Sequence, residues 1–189
     1  MSNSFDPASV PGCPADSGYL PVSLKEAYSL LNTGGIVLVC TRGTDGRYDL
    51  APVAWTCPLD YEPASRVLVV MDPGHQTVRN VRAKGSFVLA LPTWKQKELV
   101  LSTGAVSGKT TDKYAESGIA AFAAAGEDAL VPEGVAGWLE CRVIEVHSIG
   151  SVVMIAAEAE RAYAVDEAWT LRLHMAGEGV FYRPGASIA

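Results

Sequence analysis

Gly35-Ile36-Val37-Leu38-Val39-Cys40-Thr41 is an unbroken apolar run of strand length, and Gly43-Thr44-Asp45-Gly46 follows it with turn chemistry before a second strand over residues 48–56. Two such runs around a glycine-rich turn read as a hairpin. The same pattern recurs downstream. Arg66-Val67-Leu68-Val69-Val70-Met71 reads as a third strand, broken at Asp72-Pro73-Gly74, and Ser86-Phe87-Val88-Leu89-Ala90-Leu91 as a fourth, stopped by Pro92. Cys57-Pro58 is read as closing the second strand, because proline has no N–H for a ladder. Residues 137–147 and 152–165 form a long hairpin joined at Ser148-Ile149-Gly150, and residues 179–183 add a last short strand. Between these strands helices are expected at 76–83, 95–102 and 112–117, while the alanine-rich run 119–125 is ambiguous. Six or seven strands connected mostly as hairpins, with short helices between, indicate a mainly β fold: a closed or nearly closed antiparallel β-barrel.

Upstream of the hairpin, residues 1–21 carry Pro7, Pro11, Pro14 and Pro21 among Ser, Asp and Gly, a composition that cannot bury enough to order itself. They are expected to form a flexible arm. Ser23-Leu24-Lys25-Glu26 has the form of a capping box and opens a short amphipathic helix ending at Gly34. Residues 22–189 show no internal repeat and no linker, so one domain is expected.

The chain of 189 residues is 49% hydrophobic and 19% charged, which suits a folded domain with a sizeable core. Its formal charge of −6, without any basic run, disfavours nucleic acid and anionic membrane as partners. Cys13, Cys40, Cys57 and Cys141 are scattered, with no metal-ligand spacing, and read as free thiols in a reducing compartment. No basic start leads an apolar run and no apolar stretch is long enough to span a bilayer. A cytoplasmic protein is expected.

Chemistry concentrates in Ser107-Gly108-Lys109-Thr110-Thr111-Asp112-Lys113-Tyr114, where two lysines, three hydroxyl side chains and a glycine share eight residues. This reads as a phosphate grip: glycine admits close backbone approach, hydroxyls and N–H groups face oxygens, and lysine supplies a charge. The same residues also fit a solvated turn before a short helix. A nucleotide P-loop is disfavoured, since that motif needs four residues between its glycines and Gly104 and Gly108 enclose three. Thr77 and Asn80 lie on the first turn of a helix, whose free N–H groups favour an anion, although Thr77 also fits a simple cap. The proline-stopped ends at Cys57-Pro58 and Leu91-Pro92 are expected to leave backbone groups unpaired, suited to the edge of a planar heterocycle. Trp55 beside the first of them is either a cover for a flat ring or a core aromatic. His147 and His174 stand alone, which more often means packing or solvation than catalysis. No catalytic triad, nucleophile elbow or dinucleotide fingerprint is present.

The runs Ala51-Pro52-Val53-Ala54-Trp55-Thr56-Cys57-Pro58-Leu59, Thr77-x-x-Asn80, Gly85-Ser86-Phe87-Val88-Leu89-Ala90-Leu91-Pro92, Ser107-Gly108-Lys109-x-x-Asp112-Lys113-Tyr114 and Leu139-Glu140-Cys141, in that order, resemble the flavin reductase-like family of the flavoredoxin type. The likeness runs from about Ile36 to Tyr182. It implies a split β-barrel that binds FMN non-covalently, usually as a homodimer with the flavin near the subunit interface. Position by position it implies FMN contacts from Trp55, Thr77, Lys113, His147 and Phe181, with Thr77 and Lys113 on the phosphate. Asp49, Ala54, Thr56, Cys57, Asn80, Ser107 and Lys109 complete the candidate site, and no side chain is assigned a catalytic proton transfer. The implied function is an FMN-binding oxidoreductase that passes electrons from NAD(P)H or a protein donor to an acceptor. The alternative is a non-catalytic split-barrel module holding flavin or another ligand. One departure favours it: the family commonly has asparagine six residues before the tryptophan, where this chain has Asp49. A homodimer is expected too from Trp94, Trp138 and Trp169, which with Trp55 give more apolar surface than a small core hides.

Overall fold

Both faces of β1 (Val37–Arg42) are apolar, Val37 and Val39 on one and Leu38 and Cys40 on the other, because the strand is covered on both sides. The computed structural model describes residues 34–177 and 179–185. The expected N-terminal arm, the helix after the capping box and Cys13 lie outside them.

β1 turns back through Gly43 to Arg47 into β2 (Tyr48–Val53), with Val37 opposite Val53 and Arg42 opposite Tyr48. The chain continues as β3 (Thr56–Asp60), β4 (Arg66–Met71), α1 (Gln76–Lys84) and β5 (Ser86–Leu91). A 3-10 turn, Trp94–Gln96, leads into α2 (Lys97–Gly104), followed by α3 (Lys113–Glu116), β6 (Ala121–Ala123) and β7 (Leu130–Pro132). Then come the long hairpin β8 (Gly137–Ile149) and β9 (Val152–Ala164), α4 (Ala168–Leu171), β10 (His174–Gly177) and β11 (Val180–Tyr182). Seven strands form one antiparallel sheet in the order β2-β1-β5-β8-β9-β4-β3.

The two edges of that sheet, β2 and β3, are consecutive in the chain and joined by Ala54 and Trp55 alone. Laid flat, six inter-strand steps would part them by about 29 Å. The link spans no more than about 11 Å. The sheet therefore curls until its edges meet, which is the barrel expected from the hairpin pattern. Its interior holds Val37, Val39, Ala51, Val53, Val69, Met71, Phe87, Leu89, Cys141, Val153 and Ile155, with Val78 and Val81 of α1 packed among them. The outer cluster unites Leu38, Cys40, Leu50, Val88 and Ala90 with Val100 of α2, Tyr114 of α3, Val131 and Leu173.

β4 and β5 match the expected runs residue for residue, and the ambiguous run 119–125 contains β6. Two expectations are corrected. Cys57-Pro58 does not close a strand: the chain breaks at Ala54–Trp55, and Pro58 lies inside β3, opposite Val67. Val70 N donates to Trp55 O, so bonded pairs fall at Trp55 and Cys57, and Pro58 turns its missing donor away from β4 toward the sheet edge. The Leu91-Pro92 break is not open either. Leu91 O accepts from Ala136 N at 2.8 Å and Pro92 O from Leu173 N at 3.2 Å. Strands β7 and β10 were not expected, because three or four residues give too little period to read.

Candidate functional site

Alternation along β2 places Asp49 on the same face as Ala51 and Val53, the barrel interior, at the end where α1 packs. There its carboxylate meets two side chains brought from far along the chain. Thr77 Oγ1 donates to Asp49 Oδ2 at 2.7 Å, and Lys113 Nζ lies 3.4 Å from Asp49 Oδ1. Lys113 Nζ also donates to Leu50 O at 2.7 Å. The Lys113 and Asp49 side chains are only 4% and 6% exposed, so this is a buried ion pair. Asp49 Oδ1 accepts no hydrogen bond among the described residues.

Each partner is positioned by local chemistry. Lys113 opens α3, which is capped by Asp112: its side chain accepts from Ala115 N at 3.0 Å, while Glu116 Oε1 accepts from Asp112 N at 3.2 Å. Thr77 sits in the first turn of α1, whose N-cap His75 contributes no side-chain bond. Thr77 is therefore not a cap. Asn80 accepts from Gln76 Nε2 and donates to Thr41 Oγ1 at 3.0 Å, tying α1 to β1. Gly85 ends α1 at φ 73°, a left-handed cap whose N–H donates to Val81 O.

A cavity of about 280 Å³ opens beside this cluster, lined by Asp49, Thr77, Ser107 and Lys113 together with His75, Gln76, Thr103, Val106 and Gly108. Four candidates thus converge: Asp49, Thr77, Ser107 and Lys113. Asn80 stands behind them as a brace. Lys109 is exposed in the 107–110 turn and does not line the cavity, and that turn spends its hydroxyls on itself. Ser107 Oγ accepts from Lys109 N, and Thr110 Oγ1 donates to Ser107 O. Of the residues expected to form a grip, Thr77, Ser107 and Lys113 line the cavity.

Ala54 and Trp55 form the junction between the sheet edges and Thr56 and Cys57 open β3, with Trp55 44% exposed. By the ladder alternation, Thr56 turns its N–H and C=O away from β4. His147 lies on β8 opposite Met154, which is opposite Val70, which bonds to Trp55. The four share one row on the outer face, His147 three strands from Trp55, and His147 Nε2 pairs with Glu145 Oε1 at 2.7 Å. Phe181 lies on β11, half-buried in the outer cluster, with Lys97 Nζ 5.4 Å from its ring centroid. Neither His147 nor Phe181 lines the cavity.

Burial pushes the Cys40 thiol up to about 12, the Asp49 charge acting in the same direction, and burial raises Cys141 equally. Neither offers a thiolate at neutral pH. No group of His, Cys, Asp or Glu suited to a metal ion occurs among the described residues, and no helix there is long and apolar enough to cross a membrane.

What lies around the cavity fits an oxyanion, and Asp49 demonstrates the fit: the hydroxyl and ammonium that suit a phosphate already hold a carboxylate. Residues 30–179 match the model of the flavin reductase like domain. The chain belongs to that family. Among solved structures, an FMN-binding domain of a flavin reductases-like enzyme from Shewanella baltica is 29% identical, covering 89% of this chain and 95% of that one, with a TM-score of 0.71. The FMN-binding protein of Thermus thermophilus is 22% identical over 91% and 95% with a TM-score of 0.77, and flavoredoxin of Methanosarcina acetivorans 18% identical over 90% and 94% with 0.76. A search of curated proteins gives no match. For this flavin reductase-like chain the neighbours establish the split-barrel fold.

Proposed function

We propose that this chain is an FMN-dependent oxidoreductase of the flavin reductase type, taking electrons from NAD(P)H or a protein donor and delivering them to an acceptor. The observation that carries the reading is the convergence of Lys113, Thr77 and the N-terminal residues of α1 on one cavity in a chain of this family. The cofactor is FMN. At about 280 Å³ the cavity is smaller than a pocket for a whole drug-sized ligand, and it suits the phosphate end. Lys113, Thr77 and Ser107 would hold that end. Trp55 and the outward N–H and C=O of Thr56 would orient the ring along residues 54–57. When bound, the isoalloxazine supplies two-electron chemistry that no side chain here provides. The protein's own work is to bind, orient and shield.

Purified protein should be yellow and should bind FMN in preference to riboflavin, since only the former offers Lys113 a charge. Equal affinities in a fluorescence titration would remove the phosphate assignment. Lys109→Ala should cost little, because Lys109 is exposed and outside the lining, whereas Lys113→Ala should weaken FMN by a factor of about ten to a hundred. Anaerobic reduction with NADH and with NADPH then identifies the donor. A non-catalytic module remains the second reading, favoured by the carboxylate seated among the phosphate donors; a colourless protein that ignores added FMN would establish it.

We further infer a homodimer in the cytoplasm. Cys40, Cys57 and Cys141 are free thiols, as a reducing compartment requires. On the outer face of β3, β4, β9 and β8, Val70 and Met154 continue the row of exposed Trp55, and Ile149 is exposed nearby. Trp138 needs no partner chain, for it stacks on Tyr163 with ring centroids 4.7 Å apart. Light scattering at micromolar concentration should give twice the chain mass; a monomer mass would count against the interface.

A further inference from the structure

The cavity's best anion donors are not free. Thr77 Oγ1 and Lys113 Nζ are both engaged by the Asp49 carboxylate, and that engagement is incomplete: Thr77 bonds Oδ2 at 2.7 Å, while Oδ1 faces Lys113 at 3.4 Å without a hydrogen bond among the described residues. A buried anion with one oxygen so poorly served is a weak occupant of a strong donor set.

We propose that Asp49 is a built-in occupant of the phosphate site. Its carboxylate and the phosphate of an incoming ligand are alternative partners of Thr77 and Lys113, so that binding exchanges one oxyanion for another. Asp49 thereby determines how sharply the cavity separates a phosphorylated ligand from its unphosphorylated form. This rests on the reading of the cavity as a phosphate site.

Charge supports the exchange. Asp49 cancels Lys113, so the paired site attracts a phosphate less than a lone buried lysine would, and a dianion entering while the carboxylate stayed in place would meet like charge at close range. The 107–110 turn is shaped around the resting carboxylate: a Cβ built on Gly108 would land on both Asp49 oxygens. Gly108 has no left-handed backbone requirement, and the three atoms nearest an added Cβ all belong to the Asp49 carboxylate. The absence of a side chain at residue 108 is what lets Asp49 occupy the donors.

The test compares FMN and riboflavin binding by fluorescence titration in the wild type, Asp49→Asn and Gly108→Ala, with inorganic phosphate as a second probe read by thermal midpoint. Asp49→Asn keeps the shape and removes the charge. It should tighten FMN tenfold or more while moving riboflavin less than twofold, and millimolar phosphate should raise the midpoint of the variant more than that of the wild type. Gly108→Ala should shift the FMN-to-riboflavin ratio in the same direction, and it carries the test if Asp49→Asn does not fold. A ratio unchanged in both variants, or FMN weakened by Asp49→Asn, overturns the exchange while leaving the flavin reading intact. If neither flavin binds any form yet phosphate selectively stabilises Asp49→Asn, the exchange stands and the flavin reading falls.

Discussion

Replacing Lys113 by methionine is expected to lower the unfolding free energy by about 3–5 kcal/mol, the cost of breaking a buried ion pair by removing one partner. Methionine keeps most of the stem volume, so the loss reports charge and not a cavity. Without the ammonium, the Leu50 carbonyl loses its 2.7 Å donor and the Asp49 carboxylate stays buried on Thr77 alone. Combining Lys113→Met with Asp49→Asn should recover much of the deficit, because the uncompensated charge goes with its partner. Urea unfolding checks both, with midpoints moving at constant slope. A loss below about 1 kcal/mol for the single variant would mean that water reaches the pair. Replacing both members of such a pair by neutral groups is often harmless to stability. Stability alone therefore does not account for a buried lysine here, whereas the proposed anion site would.

Glu140→Ala is expected to cost about 3 kcal/mol, from two charge-assisted hydrogen bonds lost at ~1.5 kcal/mol or more each. Glu140 is fully buried, and its carboxylate accepts from Ala125 N at 2.9 Å and Gly126 N at 2.8 Å, with Trp138 Nε1 and Arg161 Nη1 each at 3.4 Å. One side chain on β8 thus fastens the segment between β6 and β7 to the barrel wall. Hydrogen exchange at Ala125 and Gly126 should accelerate in the variant while the amides of β1 stay protected. If exchange there is unchanged and the unfolding midpoint holds, Glu140 is not the fastener.

That role shows what the sequence could and could not convey. Leu139-Glu140-Cys141 is visible as a motif, yet nothing adjacent says that its acid is buried under two amides. Strands as long as β4 and β5 are legible because an apolar run bounded by proline or glycine carries its own period, whereas β7 and β10 are too short to have one. Pro58 misled because a proline ends a central strand but is tolerated at an edge, and only the sheet order reveals that β3 is an edge. At the site, Lys113 and Thr77 were identifiable by residue type and by resemblance. Their shared partner was not, since Asp49 precedes Lys113 by 64 positions and only folding joins them. In the sequence Asp49 stands out only as a departure from the family's asparagine. Its ion pair with Lys113 is a tertiary fact.

Ala54 and Trp55 are the shortest span between the sheet's two margins, and their length acts as a gauge for the girth of the cylinder. Two more residues there would slacken the join by about 7 Å, enough to admit another strand's width, and the wall would no longer be obliged to close. Trp55, offered as cover for the flavin ring, is therefore half of the hoop that keeps the barrel round. Any change that loosens that segment would also let the circumference grow.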